Sequence, residues 1–272
     1  MNSNIISKTP ALCQEKNSHT FPLPSQEDSD SLCVSRLDSV FDTRPRKYPL
    51  SVIFKEMRTG AATLANLAED VPYRTLAQVT EKARELRYER GNKAAYEVLK
   101  RGMPQIIPAV VLSNGSEIQS FSGLMCLEWD GDIDVAHALM IGKQHPNVLA
   151  IWRSLSGNPK FLVPVSPTSK DGDELTKETF KHAWYDASLL FEEIGEVDPS
   201  AARPTQPQAL CYDPGLYVNW DAVPIDWSID GDAFADAYPN LTETEDVAYA
   251  ELPAEYRMAL TCACGVLDEM DM

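Results

Sequence analysis

The stretch Phe121-Ser122-Gly123-Leu124-Met125-Cys126-Leu127-Glu128-Trp129-Asp130 decides how the rest of the chain is read. Its apolar run, Leu124–Trp129, follows a Ser-Gly break and leads into the acidic loop Gly131-Asp132-Ile133-Asp134, the pattern of a buried sheet strand. Residues i and i+2 of a strand share a face, so Glu128 and Asp130 project together at its end. Two adjacent carboxylates repel each other unless a cation lies between them. Phosphoryl-transfer sites hold Mg2+ or Mn2+ in this way, through oxygen ligands. The same residues also read as a solvated strand end entering an acidic loop. A calcium-binding loop starting at Asp130 fails on spacing, because the sixth position is Val135 instead of Gly and the twelfth is Ile141 instead of Glu.

Upstream of that strand, Ile107–Leu112 is a second short apolar run, set off by the turn signal Ser113-Asn114-Gly115. Residues 75–89 carry Leu76, Val79, Ala83 and Leu86 at helical spacing, with Lys82, Arg84, Arg87 and Arg90 among the polar positions. Gly91 interrupts this helix and Ala94–Arg101 resumes it. Leu50, Val52 and Phe54 alternate with Ser51, Ile53 and Lys55, which predicts an opening strand. Residues 1–46, rich in Ser, Asn, Asp and Pro, read as a mobile leader with a short helix around Leu32–Phe41. Downstream, the pattern predicts a helix at Val135–Lys143 and strands at Val148–Trp152 and Phe161–Val165. It then predicts a long helix over 174–194, a strand at Ala209–Tyr212 and a final helix at Pro253–Leu267. Strands in hairpin and crossover order, interleaved with helices, indicate a mixed sheet of α+β or α/β type.

The chain has 272 residues, with 24 basic and 41 acidic side chains and a net charge of −17. Its 44 % hydrophobic and 24 % charged residues are a globular balance that argues against wholesale disorder. An acidic total disfavours a polyanionic partner, but the charge is unevenly spread. Residues 42–101 hold 13 basic and 8 acidic groups, whereas residues 102–272 hold 8 basic and 28 acidic groups. The basic segment and the acidic tail therefore present different surfaces, and the total does not exclude nucleic acid. The run Ile106–Leu112 is far shorter than the roughly 20 residues of a membrane span, and no export signal is expected. Six cysteines are scattered without a C-x2-C pair, so neither a zinc site nor a disulfide framework is expected. Cys126 and Cys211 lie in apolar runs and read as buried thiols of a cytoplasmic protein.

Three further stretches carry possible chemistry. Ser154-Leu155-Ser156-Gly157-Asn158-Pro159-Lys160 joins two predicted strands, either as a small-residue phosphate cradle with a cation or as a plain hairpin turn. Asp198 and Asp213 each precede a proline, as further acids of a site or as turn caps. His137, His145 and His182 lack partner spacing and read as surface or core residues.

Taken in order, several stretches resemble a family. Ala95-Tyr96-Glu97-Val98-Leu99-Lys100-Arg101-Gly102-Met103-Pro104-Gln105-Ile106-Ile107-Pro108 is similar to the Tyr-Lys, Leu-Pro and Pro run of the virulence-associated E protein N-terminal domains. The similarity continues through Phe121–Asp130, Trp152–Gly157, Lys160–Val165 and Cys211-Tyr212-Asp213-Pro214-Gly215-Leu216-Tyr217-Val218-Asn219, and spans about residues 48–225. That family is similar to the archaeo-eukaryotic primase superfamily, the primase–polymerases. The resemblance implies an α+β fold: an RRM-like mixed sheet of that primase type, with flanking helices and a smaller α/β unit. It divides the chain into the leader at 1–46, a primase–polymerase-like domain at 47–225 and an acidic extension at 226–272. It implies metal-dependent, template-directed nucleotidyl transfer in DNA replication of a plasmid, phage or other mobile element. The partners would be a DNA template, nucleoside triphosphates and a replicative helicase or other replication protein. By position, Glu128, Asp130 and Asp198 would be catalytic and would bind Mg2+ or Mn2+. Ser154, Ser156, Gly157, Lys160 and Arg203 would hold the nucleotide.

The chain departs from the family's pattern at three places. Glu128 stands where Asp is usual, Pro159 replaces the second glycine of the phosphate loop, and Gln206 and Gln208 stand where the family carries an Arg-x-Arg. Proline removes an N–H donor, and Gln hydrogen-bonds a phosphate without neutralising it. These departures set a second expectation beside the enzyme: a catalytically silent primase-fold module that binds DNA or a replication protein.

Overall fold

Residues 32–64, 74–113, 117–230 and 233–239 are described by a computed structural model. The first described element, strand β1 (Cys33–Leu37), pairs antiparallel with β2 (Arg46–Pro49). This corrects the sequence reading, which put β1 in a mobile leader with a short helix around Leu32–Phe41 and ended that leader at residue 46, where β2 begins. Val34 and Leu37 are buried, and a strand of only five residues shows too little periodicity to be read without its partners. The chain then enters α1 (Leu50–Thr59), where a strand was expected. Leu50 and Phe54 satisfy both periods, but Ile53 and Met57 are buried while Val52 is 39 % exposed, so the helical spacing wins once a second turn is included. Gly60 ends this helix at φ +64°, and a side chain there would collide with Ala77 and the ring of Tyr212.

Helix α2 (Leu76–Arg84) starts on a reciprocal Thr75–Gln78 cap and widens into a π turn, Glu85–Glu89. After Gly91, Asn92 caps α3 (Lys93–Gly102), close to the predicted resumption at Ala94–Arg101. The single expected strand over Ile107–Leu112 is two strands, β3 (Gln105–Ile107) and β4 (Val110–Leu112), because Pro108 and Ala109 turn the chain between them. Strand β4 pairs with β5 (Ile118–Phe121), and residues 114–116 between them lie outside the described ones. The deciding stretch forms β6 (Leu124–Glu128), followed by α4 (Val135–Gln144), β7 (Ala150–Arg153) and β8 (Pro159–Pro164). Helix α5 (Phe180–Leu189) is shorter than the predicted 174–194, and 3-10 turns at Glu192–Ile194 and Pro199–Ala202 follow it. Strands β9 (Gln208–Ala209) and β10 (Tyr217–Val218) and helix α6 (Ala233–Ala237) complete the described elements. The predicted helix at Pro253–Leu267 lies outside them.

The result is a mixed α+β fold of antiparallel sheets and helices. One sheet has the order β2-β1-β3-β9, a second β10-β7-β8-β6, and β4 with β5 forms a two-stranded third. Alternation along β6 and β8 divides the second sheet between two cores. Leu124, Cys126 and Leu162 join Phe54, Met57, Val79, Tyr96 and Leu99 of the first three helices. Met125, Leu127, Trp129, Phe161 and Val163 join Phe180, Trp184 and Phe191 on the other face. Cys126 and Cys211 are free and buried, and burial pushes each thiol up to about 12. No helix among the described residues is long and apolar enough to cross a membrane.

Candidate functional site

The face of β6 and β8 toward the first three helices starts apolar and ends polar. After Leu124 and Cys126 comes Glu128, and the antiparallel register sets Lys160 directly opposite it. The Lys160 ammonium donates to Glu128 Oε2 and to Gln208 Oε1, and Gln208 Nε2 donates to Glu128 Oε1 at 3.3 Å. Gln208 comes from β9, so this polar triad joins the two four-stranded sheets. Burial alone would raise the Glu128 carboxyl, but the charge and hydrogen bond of Lys160, with help from Gln208, hold it below the usual carboxylate range. Burial likewise works against the Lys160 charge, and Glu128 outweighs it, so Lys160 sits above the ordinary lysine value.

The triad forms the floor of a cavity of about 190 Å³. Glu128, Asp130, Ser154, Ser156, Lys160 and Asp198 all line it, so six of the eight residues singled out from sequence come together there. Trp129, between the two acids, turns its ring into the opposite core against Phe161 at a centroid distance of 4.8 Å. Glu128 and Asp130 both line the cavity, with β6 ending at Glu128 and Asp130 lying two residues past it.

The stretch Ser154–Lys160 contains a hairpin connection whose flanking residues Arg153 and Pro159 pair. Gly157 sits at φ +79° and donates its N–H to the Ser154 carbonyl at 3.0 Å, which closes the turn. The hairpin is gripped from behind: Arg84 donates to the Ser154 carbonyl at 3.2 Å, and the Tyr88 hydroxyl donates to the Ser156 carbonyl. The hydroxyls of Ser154 and Ser156 lie 2.9 Å apart. Asn158 donates to the Trp129 carbonyl at 2.9 Å and ties the hairpin to the acidic strand end.

Asp198 reaches the cavity because its N–H donates to the Glu128 carbonyl at 2.7 Å. Its carboxylate also caps the 3-10 turn, accepting from Ser200 N at 2.9 Å and Ser200 Oγ at 2.8 Å. Gly157 and Arg203 are not lining residues. Arg203 donates to Gln206 Oε1 at 2.7 Å and to the Ser200 carbonyl at 3.3 Å, and so braces two residues that do line the cavity. Asp213 is a loop staple: its carboxylate accepts from Arg153 N at 2.6 Å and Gly215 N at 3.0 Å. His145 packs on Phe191 at 4.7 Å.

The three carboxylates differ in what they have left to offer a cation. Glu128 is committed to Lys160 and Gln208, Asp198 to Ser200, and Asp130 is exposed with no ion-pair or hydrogen-bond partner among the described residues. Among those residues no group of three or more His, Cys, Asp or Glu is placed to hold a metal ion. Mg2+ commonly takes only one or two carboxylates and completes its shell with water and substrate phosphate. Asp130 and Asp198 both line the cavity, and Asp198 already accepts two hydrogen bonds from Ser200. Lys100 and Tyr96 also line the cavity, although sequence reasoning gave them no role. Both lie in the quoted Tyr96–Lys100 stretch, where a buried tyrosine and a lysine one turn later reach the same helix face.

No family model, curated protein or solved structure matches the chain.

Proposed function

We propose that the chain is a primase–polymerase-like protein of a mobile element, whose cavity takes a nucleoside triphosphate beside a DNA template and supports nucleotidyl transfer. The observation that carries this reading is the convergence on one cavity of acids, hydroxyls and lysines from four separate stretches. In this reading the β10-β7-β8-β6 sheet is the RRM-like catalytic sheet, and the domain works in the cytoplasm with a replicative helicase or other replication protein. Ser154 and Ser156 donate hydroxyl hydrogen bonds to phosphate oxygens, and Lys100 neutralises phosphate charge. Asp130 and Asp198 would hold Mg2+ or Mn2+, which when bound neutralises the phosphates and polarises the reacting phosphorus. Lys160 keeps Glu128 folded against the floor. The test is template-directed incorporation of dNTP or rNTP with Mn2+. Asp130→Ala should lower the rate by at least about a hundredfold, and equal rates would remove the assigned site.

The Glu128–Lys160–Gln208 triad favours a second reading, the silent primase-fold module, because the first acid of the pair already has its cation. Calorimetric titration of a nucleotide with and without Mn2+ separates the two. Binding strengthened by metal and dependent on Asp130 supports the enzyme, and DNA binding without nucleotide binding supports the module.

A further inference from the structure

Tyr88 grips the hairpin through its hydroxyl alone, yet the residue is 59 % exposed, more than any other exposed large hydrophobic side chain described. It stands in the π turn, a helix irregularity often found at functional sites. The ring is held in place without being covered. Its hydroxyl is fixed on Ser156, a lining residue of the cavity, and the Arg87 guanidinium lies over it at 5.7 Å. The same guanidinium lies over Tyr96, another lining residue, at 5.0 Å. Of the two acids in the turn, Glu85 pairs with Lys82 and Arg90, while Glu89 directly follows Tyr88 in the chain. Lys100 and Arg101, on the next helix, have no ion-pair partner among the described residues.

We infer that Tyr88, backed by Arg87, is a base-stacking platform for a single strand of nucleic acid at the mouth of the cavity. A pre-positioned ring loses little conformational freedom when a base stacks on it, and stacking is tolerant of sequence because every base has a π face. The adjacent cations supply the backbone attraction that single-strand sites combine with such rings. Duplex DNA keeps its bases stacked on each other, so the platform selects unpaired strands. This rests on the nucleic-acid reading proposed above and adds the residue that receives the base.

The experiment measures anisotropy of a labelled oligothymidylate with the full chain in EDTA, which keeps strand binding separate from metal and nucleotide. Tyr88→Phe, which keeps the ring, should bind within about twofold of the wild type. Tyr88→Leu should bind about tenfold more weakly, with an unchanged slope of log affinity against log salt. Arg87→Ala should reduce that slope by about 0.7. Wild-type protein that fails to bind the oligonucleotide, or Tyr88→Leu that binds as well as wild type, overturns the platform. So does Tyr88→Phe that is as weak as Tyr88→Leu, which would reduce Tyr88 to its grip on the hairpin. Tyr88-dependent binding without any nucleotide incorporation would sink the proposed activity and leave the platform standing.

Discussion

The two faces of the β6–β8 ladder share one backbone and differ in how they end. On the face toward α4 and α5, Met125, Leu127, Trp129, Phe161 and Val163 stay apolar to the last residue, and Trp129 closes the core by donating to the Gly195 carbonyl at 3.1 Å. On the other face, Leu124, Cys126 and Leu162 give way to Glu128 and Lys160, with a cavity above them. The same pairing register that packs one face brings two charges together on the other. A buried pair of this kind contributes little net stability, because desolvation offsets the attraction. Its presence at a cavity floor is therefore not explained by stability alone.

The largest expected effect comes from breaking the apolar face. Trp129→Ala should destabilise the protein by about 3–5 kcal/mol in urea denaturation, and a loss under 1 kcal/mol would mean that this face can collapse around the gap. Next comes the polar face. Lys160→Met alone leaves Glu128 buried without its cation and should cost about 3 kcal/mol, whereas the double change Glu128→Leu with Lys160→Met should recover most of that loss. If the double variant were as unstable as the single one, packing and not charge would hold the floor.

The pH dependence of that pair follows from its two opposite shifts. The lowered Glu128 carboxyl contributes stability above its unfolded value, near 4.3, and loses it as pH falls through the lower native value. The raised Lys160 contributes fully below its unfolded value, near 10.4, and loses it as pH rises through the higher native value. Wild-type stability should therefore fall at both limbs, and the double variant should show a flatter profile in melts from about pH 3 to 11. The smallest effect probes how closely α4 sits on the apolar face. A methyl at Gly142 would meet Phe161 at 2.6 Å and Ile151 at 2.8 Å. Gly142→Ala should cost about 1–2 kcal/mol despite its better helix propensity, and a rise in melting temperature would contradict the close approach.

How much of this was legible in advance depends on the length of each signal. Helix α2 with its π turn, and helix α3, fall within a residue or so of the predicted spans 75–89 and Ala94–Arg101, because periodicity and Gly91 agree over many residues. The opening helix was misread because five residues satisfy two periods at once, and Met57, one turn further, carried the deciding signal. Strand β1 was missed because its burial comes from β2 and β3 on either side, and neither is visible in its own five residues. At the site, Glu128 and Asp130 were readable as a pair at the end of a strand, since the period of a strand is local. That Lys160 would take Glu128 as its partner was not readable, although both residues had been picked out.

The sequence by itself therefore determined the α+β class, the helices that carry the basic surface, the buried thiols and six of the side chains that line the cavity. Each of these depends on spacing within one stretch, where residue type and periodicity suffice. Only the tertiary structure decided what those side chains do to one another. The β6–β8 register commits Glu128 to Lys160, the short β9 brings Gln208 across from the other sheet, and the turn before Pro199 fixes Asp198 on Ser200. Asp130 is left as the carboxylate without a partner among the described residues, because electrostatics acts between neighbours in space, and here those neighbours are up to 80 residues apart in the chain.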